Sequence, residues 1–279
     1  MHQSQDNESA GARYTQLQMN AQAAISAMEL YEAFGETEYL SRGVSFARIL
    51  MACQASAVDP SFSIPLRGYF YENETHERIQ TYYHRSYEHA PIKAFAMLYR
   101  LAPEHEDAAR WKNSLELYRE YVALTSRMVP YGLLPNGIYE LDNTDFSTIT
   151  HEGARAAGAP SLEEYNAQVR NGIRLNDRFY LRIFPVAYQF RGFHATLMGR
   201  ALAAMELARA LNDREIKQVA VRQMEWILGC NPFAVSSMYG EGHDYHPLYA
   251  PMSPQLVGAV PVGFETFENE DQPFYPMQN

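Results

Sequence analysis

Apolar side chains recur every three to four residues through much of this chain, which is the spacing of an amphipathic α-helix. The first such segment has apolar positions at Leu17, Ala21, Ile25 and Met28, and Gly35 follows it where a helix usually ends. The same spacing predicts six helices, over residues 12–34, 37–55, 91–101, 107–128, 193–211 and 214–228.

Short links join these helices in pairs, so the six segments form three antiparallel helical hairpins. No parallel-strand pattern alternates with them, which predicts an all-α fold, either a solenoid or an α/α barrel. The sequence shows no fixed repeat of about 33–47 residues, which argues against the common helical arrays. The irregular spacing and long linkers favour an α/α barrel with functional loops on one rim.

The segments between the hairpins are irregular. Residues 58–76 alternate aromatic residues with Pro and Gly and predict an excursion or a small ribbon. Residues 129–190 contain few periodic runs and begin with a turn-rich crossover. Within them Ser161 and Glu164 have the spacing of a capping box, which predicts the start of a short helix.

Composition indicates a globular chain and excludes some partners. The 279 residues are 47% hydrophobic, enough for one domain with a sizeable core. The net charge of −10 argues against nucleic acid, whose phosphates the protein would repel, and no apolar run is long enough to span a membrane. We interpret Cys53 and Cys230 as buried thiols rather than a disulfide framework.

The chain changes character where its last helix ends. Gly229 lies where a C-terminal glycine belongs, Pro232 cannot continue a helix, and Asn231 can bond the backbone of the exit turn. The following residues, to Pro251, are rich in tyrosine, glycine and histidine. This composition is typical of a binding loop on a rigid helical scaffold.

This stretch resembles the C-terminal signature of family-nine glycoside hydrolases and their relatives on the six-hairpin barrel. The residues that carry the resemblance are Leu228-Gly229, Asn231-Pro232, Ser236 or Ser237, Gly240, Gly242 and a histidine after them. The family pattern usually adds a second histidine followed by arginine, both of which contact sugar. His243 and His246 are present here, but no arginine occurs between His243 and Pro254.

The resemblance implies an all-α (α/α) six-hairpin barrel, or toroid, and an inverting O-glycosidase acting on β-linked glucan or a related oligosaccharide. Three hairpins are about half of such a ring. We therefore expect residues 1–279 to be a single barrel fragment that lacks the N-terminal part and the extreme C-terminal part of the domain. The resemblance also favours secretion or a periplasmic location, although the first ten residues have no signal-peptide pattern.

Inverting hydrolysis needs a carboxylate base and a carboxylic acid. The family carries its base in a D-x-G-D motif, which does not occur here. Asp271 and Tyr275 resemble the family's approach to the catalytic glutamate, which would then lie at or just past Asn279. The same acidic segment is equally typical of a solvated loop. We expect this chain alone to be inactive.

Two groups of residues are candidates for substrate binding. His84 and Glu88 are four residues apart and would share one face of a helix, either as a sugar-binding, proton-handling pair or as a structural pair. Tyr239, Tyr245 and the histidines His243 and His246 belong to the second group, in the loop after the last helix. We predict that both groups lie on one rim, within one cleft.

Arg191 and His194 stand near a helix start, where they would point into the barrel mouth or have a capping or surface role. Two histidines three residues apart in the loop can bind zinc in principle, but no third ligand stands at a suitable spacing. We therefore expect a carbohydrate substrate with no metal and no other cofactor.

Two other functions remain open from the sequence. An α/α-barrel polysaccharide lyase uses tyrosine and histidine as acid and base, and the run Y-Y-H-R-S-Y-E-H contains those residue types. The missing D-x-G-D motif and the missing arginine are also compatible with a non-catalytic, carbohydrate-binding barrel.

Overall fold

The structure is a computed structural model that describes residues 15–82, 87–143, 161–186, 193–245, 256–261, 263–266 and 270–274. Within these residues the chain forms seven α-helices and five short strands. The helices are α1 (Gln16–Phe34), α2 (Thr37–Ala52), α3 (His89–Leu101), α4 (Ala108–Thr125), α5 (Leu162–Arg170), α6 (His194–Leu211) and α7 (Arg214–Ile227). None of them is long and apolar enough to cross a membrane.

The prediction of a helical fold built from hairpins is confirmed. The pairs α1–α2, α3–α4 and α6–α7 are antiparallel hairpins, and their bounds lie within a few residues of the predicted ones. Helices α1, α3 and α6 lie side by side in one layer, while α2, α4 and α7 form the other. These two layers are what the described residues show; they do not show a closed barrel.

Local capping chemistry sets the helix ends. The Thr15 side chain accepts a hydrogen bond from the Gln18 backbone and the Gln18 side chain returns one, so a capping box starts α1. Gly35 ends that helix in the left-handed region, with φ +71°. The predicted box of Ser161 and Glu164 is confirmed at the start of α5.

The irregular segment between α4 and α6 contains a small sheet that the sequence analysis missed. Strands β1 (Gly137–Glu140), β2 (Ile173–Arg174) and β3 (Phe179–Arg182) pair antiparallel in the order β1-β3-β2. Strands β4 (Glu265–Thr266) and β5 (Pro273–Phe274) form a separate pair. All five strands are too short for a two-residue alternation to be recognised in the sequence.

Three apolar clusters support these elements. The largest fills the space between the hairpins, where Trp111 and Phe95 are fully buried. A second, aromatic cluster joins Trp226 at the end of α7 to Phe193 and Phe264. The third lies between α5 and the sheet. The prediction for the two thiols holds for Cys53, which is buried, but is wrong for Cys230, which is exposed in the turn after α7.

The connections lie unequally at the two ends of the helices. Within the hairpins the links are only residues 35–36, 102–107 and 212–213. Helices α1 and α3 run in the same direction, as their ion pairs Lys93–Glu29 and Arg100–Glu32 show. The long connections therefore leave and enter at the opposite end, which we call the loop end.

The connection that follows α2 lies directly against the backbone of α4 at Gly68. Gly68 has φ +89°, and a Cβ placed on it would come within 2.0 Å of the Leu117 carbonyl oxygen. The buried Gln54 amide fixes the same approach, because its Nε2 donates to the carbonyls of Gly68 and Ser114 at 3.1 and 3.0 Å. Only glycine fits at position 68.

We predict that Gly68→Ala lowers the free energy of unfolding by several kcal/mol, because it combines a left-handed φ with a backbone clash. Gly35→Ala is the matched control, since Gly35 also has positive φ but open space around it. That variant should lose only about 1–2 kcal/mol. Urea unfolding of both measures the difference, and equal losses would contradict the close approach.

Candidate functional site

The exit from α7 is built as the sequence predicts. The Cys230 amide donates to the Glu225 carbonyl at 2.9 Å and the Gly229 amide donates to the Trp226 carbonyl at 3.2 Å. These two bonds are a Schellman motif, which requires a left-handed residue, and Gly229 has φ +107°. The glycine therefore ends the helix and reverses the chain.

Asn231 then holds the turn with both ends of its side chain. Its Nδ2 donates to the carbonyls of Trp226 and Val235, each at 2.8 Å. Its Oδ1 accepts from the amides of Phe233 and Val235 at 3.1 and 3.4 Å. The predicted role of Asn231 in the exit turn is confirmed.

The remaining residues of the motif shape the loop that follows. Gly240 and Gly242 have φ values of +75° and +93°, which favour glycine. The Ser236 hydroxyl accepts from the Met238 amide at 3.1 Å, and the Ser236 amide donates to the Asp244 carbonyl at 2.9 Å. The loop is therefore closed on itself at its base.

Two aromatic side chains of the loop lie together, and one of them, Tyr245, is at the base of the loop, where it pairs with Ser236. The rings of Tyr239 and Tyr245 lie 5.5 Å apart and nearly perpendicular, at 79°. Tyr245 is 42% exposed and Tyr239 is half-buried. His243, two residues before Tyr245, is exposed. The structure therefore brings the two predicted tyrosines together. Three other predicted site residues, His84, His246 and Arg191, lie outside the described residues, as does Tyr275.

Glu88 lies directly before helix α3, which begins at His89. The predicted pair of Glu88 with His84 stays a prediction, because His84 lies outside the described residues. The Glu88 side chain is buried, with 7% of its surface exposed.

Two side chains from other helices meet the Glu88 carboxyl. The Tyr118 hydroxyl on α4 donates to Oε1 at 3.3 Å, and Nε of Arg200 on α6 lies 3.9 Å from Oε2. Arg200 is 1% exposed and donates to the carbonyls of Thr196 and Leu134 at 3.2 and 3.0 Å. The site therefore joins α3, α4 and α6 at their loop end.

Burial dominates the electrostatics of this group. It raises the pKa of Glu88 to about 8, and the charge of Arg200 and the hydrogen bond from Tyr118 offset only part of the rise. Burial also lowers the pKa of Arg200, which Glu88 partly offsets. The Glu88 carboxyl therefore keeps its proton at neutral pH and can donate a hydrogen bond.

Tyrosines surround this carboxyl. Burial, and then the nearby Glu88, raise the pKa values of Tyr82 and Tyr118 well above the ordinary value for a phenol. The pKa of Tyr121 rises for the same reasons. These hydroxyls stay protonated at neutral pH, so they can donate or accept hydrogen bonds but are poor bases.

A small cavity of about 20 Å³ lies among these side chains. Polar groups of its wall come from Gln80, Tyr82, Glu88, Tyr118 and Asn136. Apolar parts of the wall come from Phe70 and Ile79, which follow α2, and from Ile138 on β1. It has room for about one water molecule. The loop tyrosines Tyr239 and Tyr245 are not part of this wall, and the common cleft for both groups stays a prediction.

The sequence analysis did not identify Asn136 or Arg200 as site residues. The backbone N–H of Asn136 donates to the carbonyls of Arg182 and Ile183, so the end of β3 fixes the position of Asn136. Nothing local in the sequence indicates that pairing. Arg200 did leave a signal, since it falls three residues after Leu197 on the apolar face of α6, where a charged side chain needs a buried partner.

Asp271 binds the chain where it leaves strand β3. Its carboxylate oxygens accept from the amides of Ile183 and Phe184 at 2.8 and 2.9 Å, and Arg182 lies 3.5 Å away. Burial raises the pKa of Asp271, while Arg182 and the two amides partly offset that rise. These contacts fasten residues 270–274 to the end of β3.

His194 is fully buried at the start of α6, so a surface role for it is wrong. Burial lowers its pKa to about 4, and Nδ1 donates to the Pro261 carbonyl at 3.1 Å. A Cβ on Gly263 would come within 2.3 Å of the imidazole ring, so the backbone of that residue lies on the ring face. His194 thus positions the backbone at Pro261 and Gly263.

Among the described residues, no group of three or more histidine, cysteine, aspartate or glutamate side chains could hold a metal ion. The polar groups of the site, Glu88, Tyr82, Tyr118 and Asn136, are suited to hydrogen bonding with a neutral polar ligand.

The comparison with solved structures gives a weak likeness, whereas the sequence comparisons find nothing. No protein-family model matches this chain, and no curated protein sequence matches it. Among solved structures it is similar to the cellulase Cel9M of C. cellulolyticum, with 12% sequence identity and a TM-score of 0.41. The likeness covers 88% of this chain, which spans 37% of the cellulase's length. At this TM-score the likeness decides neither fold nor function.

We predict that Glu88 makes stability fall as pH rises. Its pKa of about 8 in the folded protein exceeds the ordinary 4.5, so the folded state binds the proton more tightly between these values. The free energy of unfolding should therefore decrease by up to about 1.4 kcal/mol per pH unit from about pH 5 to about pH 8. Glu88→Gln should remove this decrease.

Urea unfolding at several pH values measures the effect. Glu104→Gln is the matched control, because Glu104 is exposed near the start of α4. It should leave the pH dependence of the wild type unchanged. If the stability of Glu88→Gln has the same pH dependence as that of the wild type, then Glu88 is not a buried, protonated carboxyl in the folded protein.

Proposed function

We propose that this chain is part of an O-glycoside hydrolase of the family-nine type, built on a six-hairpin α/α barrel and acting by inversion on β-linked glucan or a related oligosaccharide. Its resemblance to that family rests on the segment after α7. The three hairpins in two layers are compatible with an arc of such a barrel.

The observation that carries the proposal is the structure of residues 228–245. Gly229 and Asn231 form the exit turn, while Ser236, Gly240 and Gly242 shape the loop. Five residues of the resemblance thus have a specific conformational role.

Exposed tyrosines suit a carbohydrate ligand. A tyrosine ring offers an apolar face for a sugar ring, and its hydroxyl offers a hydrogen bond. Tyr245 is exposed and Tyr239 is half-buried against it, so the pair forms a small aromatic surface on the loop. We propose that this surface, with His243 and the residues Arg191, His84 and His246, contacts the sugar.

The proposed hydrolase needs two catalytic carboxylates, and neither is identified in this chain. The base motif D-x-G-D does not occur in the sequence, and Asp271 is bonded to two backbone amides and faces Arg182. We therefore assign both catalytic carboxylates to residues outside these 279. The chain by itself should bind substrate and should not cleave it.

A non-catalytic, carbohydrate-binding barrel is the second candidate. The missing base motif and the anchored Asp271 favour it, because neither feature hinders binding. Of the run that suggests a polysaccharide lyase, the described residues include Tyr82, Tyr87 and Glu88, and the raised pKa of Tyr82 disfavours that tyrosine as a catalytic base.

Titration calorimetry with cellotetraose and a reducing-end assay test the proposal together. We expect the 279-residue chain to bind cellotetraose but to release no reducing ends from β-glucan. The complete gene product should bind cellotetraose and release reducing ends. Binding without cleavage by the complete product would select the binding barrel. Failure of either protein to bind any β-linked oligosaccharide would overturn the proposal.

We predict that Tyr245→Ala weakens cellotetraose binding by about tenfold, because removing a stacking ring costs on the order of 1–1.5 kcal/mol. Tyr39→Ala is the matched control, since Tyr39 lies beside the α1–α2 link, away from the loop end. The control should bind like the wild type. Equal affinities for all three proteins would exclude the loop tyrosines from the binding site.

A further inference from the structure

Two polar atoms in the wall residues of the small cavity lack partners within the described part of the chain. The Tyr82 hydroxyl is buried and forms no hydrogen bond there, and the same is true of Asn136 Oδ1. The Asn136 amide nitrogen is fully used, because it donates to the Tyr82 carbonyl at 3.2 Å and to the Tyr139 hydroxyl at 2.7 Å. Tyr82 is 7% exposed and Asn136 is 1% exposed.

Leaving both atoms unsatisfied would be costly. A buried donor or acceptor without a partner loses its bonds to water and gains nothing in return. The surrounding structure is also fixed, because Arg200 and Gln223 hold Leu134 by its carbonyl and its amide. The segment that carries Asn136 therefore cannot easily turn away to satisfy its oxygen.

The size and chemistry of the cavity define what fits. A volume of about 20 Å³ admits one water-sized group and excludes a sugar ring. Asn136 Oδ1 requires a donor, while the Tyr82 hydroxyl can donate or accept. A hydroxyl group does both, so it matches the needs of these two atoms, and Glu88 lines the same cavity.

We propose that this cavity is a binding subsite for a single hydroxyl group, held by Tyr82 and Asn136 next to Glu88. The hydroxyl comes from a bound water or from a carbohydrate that reaches in from the loop end. The carbohydrate source rests on the proposed function, whereas the water source does not. In either case the hydroxyl connects Glu88 to the cavity wall by hydrogen bonds.

Crystal structures of the protein alone and with cellotetraose test this subsite. We expect one oxygen within about 3 Å of both Tyr82 Oη and Asn136 Oδ1. Tyr82→Phe removes the hydroxyl with little change in shape and should displace that oxygen. Tyr69→Phe is the matched control, because the Tyr69 hydroxyl contacts the Tyr71 hydroxyl at 3.3 Å and Tyr69 lines the same cavity. This control should retain the oxygen.

Cellotetraose affinity distinguishes the two sources. If a sugar hydroxyl fills the subsite, Tyr82→Phe should weaken binding about five- to tenfold and Tyr69→Phe should not. If water fills it, the oxygen should be present with and without the sugar, and affinity should not change. Should cellotetraose not bind at all, the proposed function fails while the oxygen in the free protein still decides the subsite.

An empty cavity in the free and sugar-treated crystals would overturn the proposal. The same conclusion would follow if the oxygen stayed in place in Tyr82→Phe, because Tyr82 would then not hold it.

Discussion

Buried polar side chains need partners, and this requirement ties the long connections of the chain to its helices. Arg200 on α6 and Gln223 on α7 bind the carbonyl and the amide of Leu134. Gln54 after α2 binds the Gly68 carbonyl, and Asp271 binds two amides at the end of β3. Apolar packing alone would hold the hairpins together but would leave the loop end without a defined geometry.

Glu88 is the point where this network meets candidate chemistry. Three helices bring Tyr118, Arg200 and the carboxyl together in a buried site, and desolvation outweighs the nearby positive charge. The result is a neutral carboxyl beside a cavity whose wall residues Tyr82 and Asn136 each have a polar atom without a partner in the described residues. Such a group can donate a hydrogen bond to a hydroxyl without attracting a metal ion or strongly repelling an anion.

The sequence was sufficient for features that depend on neighbouring residues. Hairpin bounds follow from apolar spacing, and the exit turn follows from Gly229 and Asn231, because capping bonds span only a few positions. The partners of Asn136 and Asp271 could not be predicted, since about 45 to 90 residues separate them along the chain. The prediction failed for Cys230 because this thiol lies in the turn after α7, beyond the helix that the apolar spacing defines.

The protonation of Glu88 is the central physical claim, and a carboxyl-carbon NMR titration measures it most directly. In protein labelled with ¹³C at the glutamate carboxyls, the resonance that disappears in Glu88→Gln belongs to this residue. We expect this resonance to have the shift of a neutral carboxyl at neutral pH and to titrate with a midpoint of about 8. A midpoint at or below the ordinary 4.5 would contradict this claim.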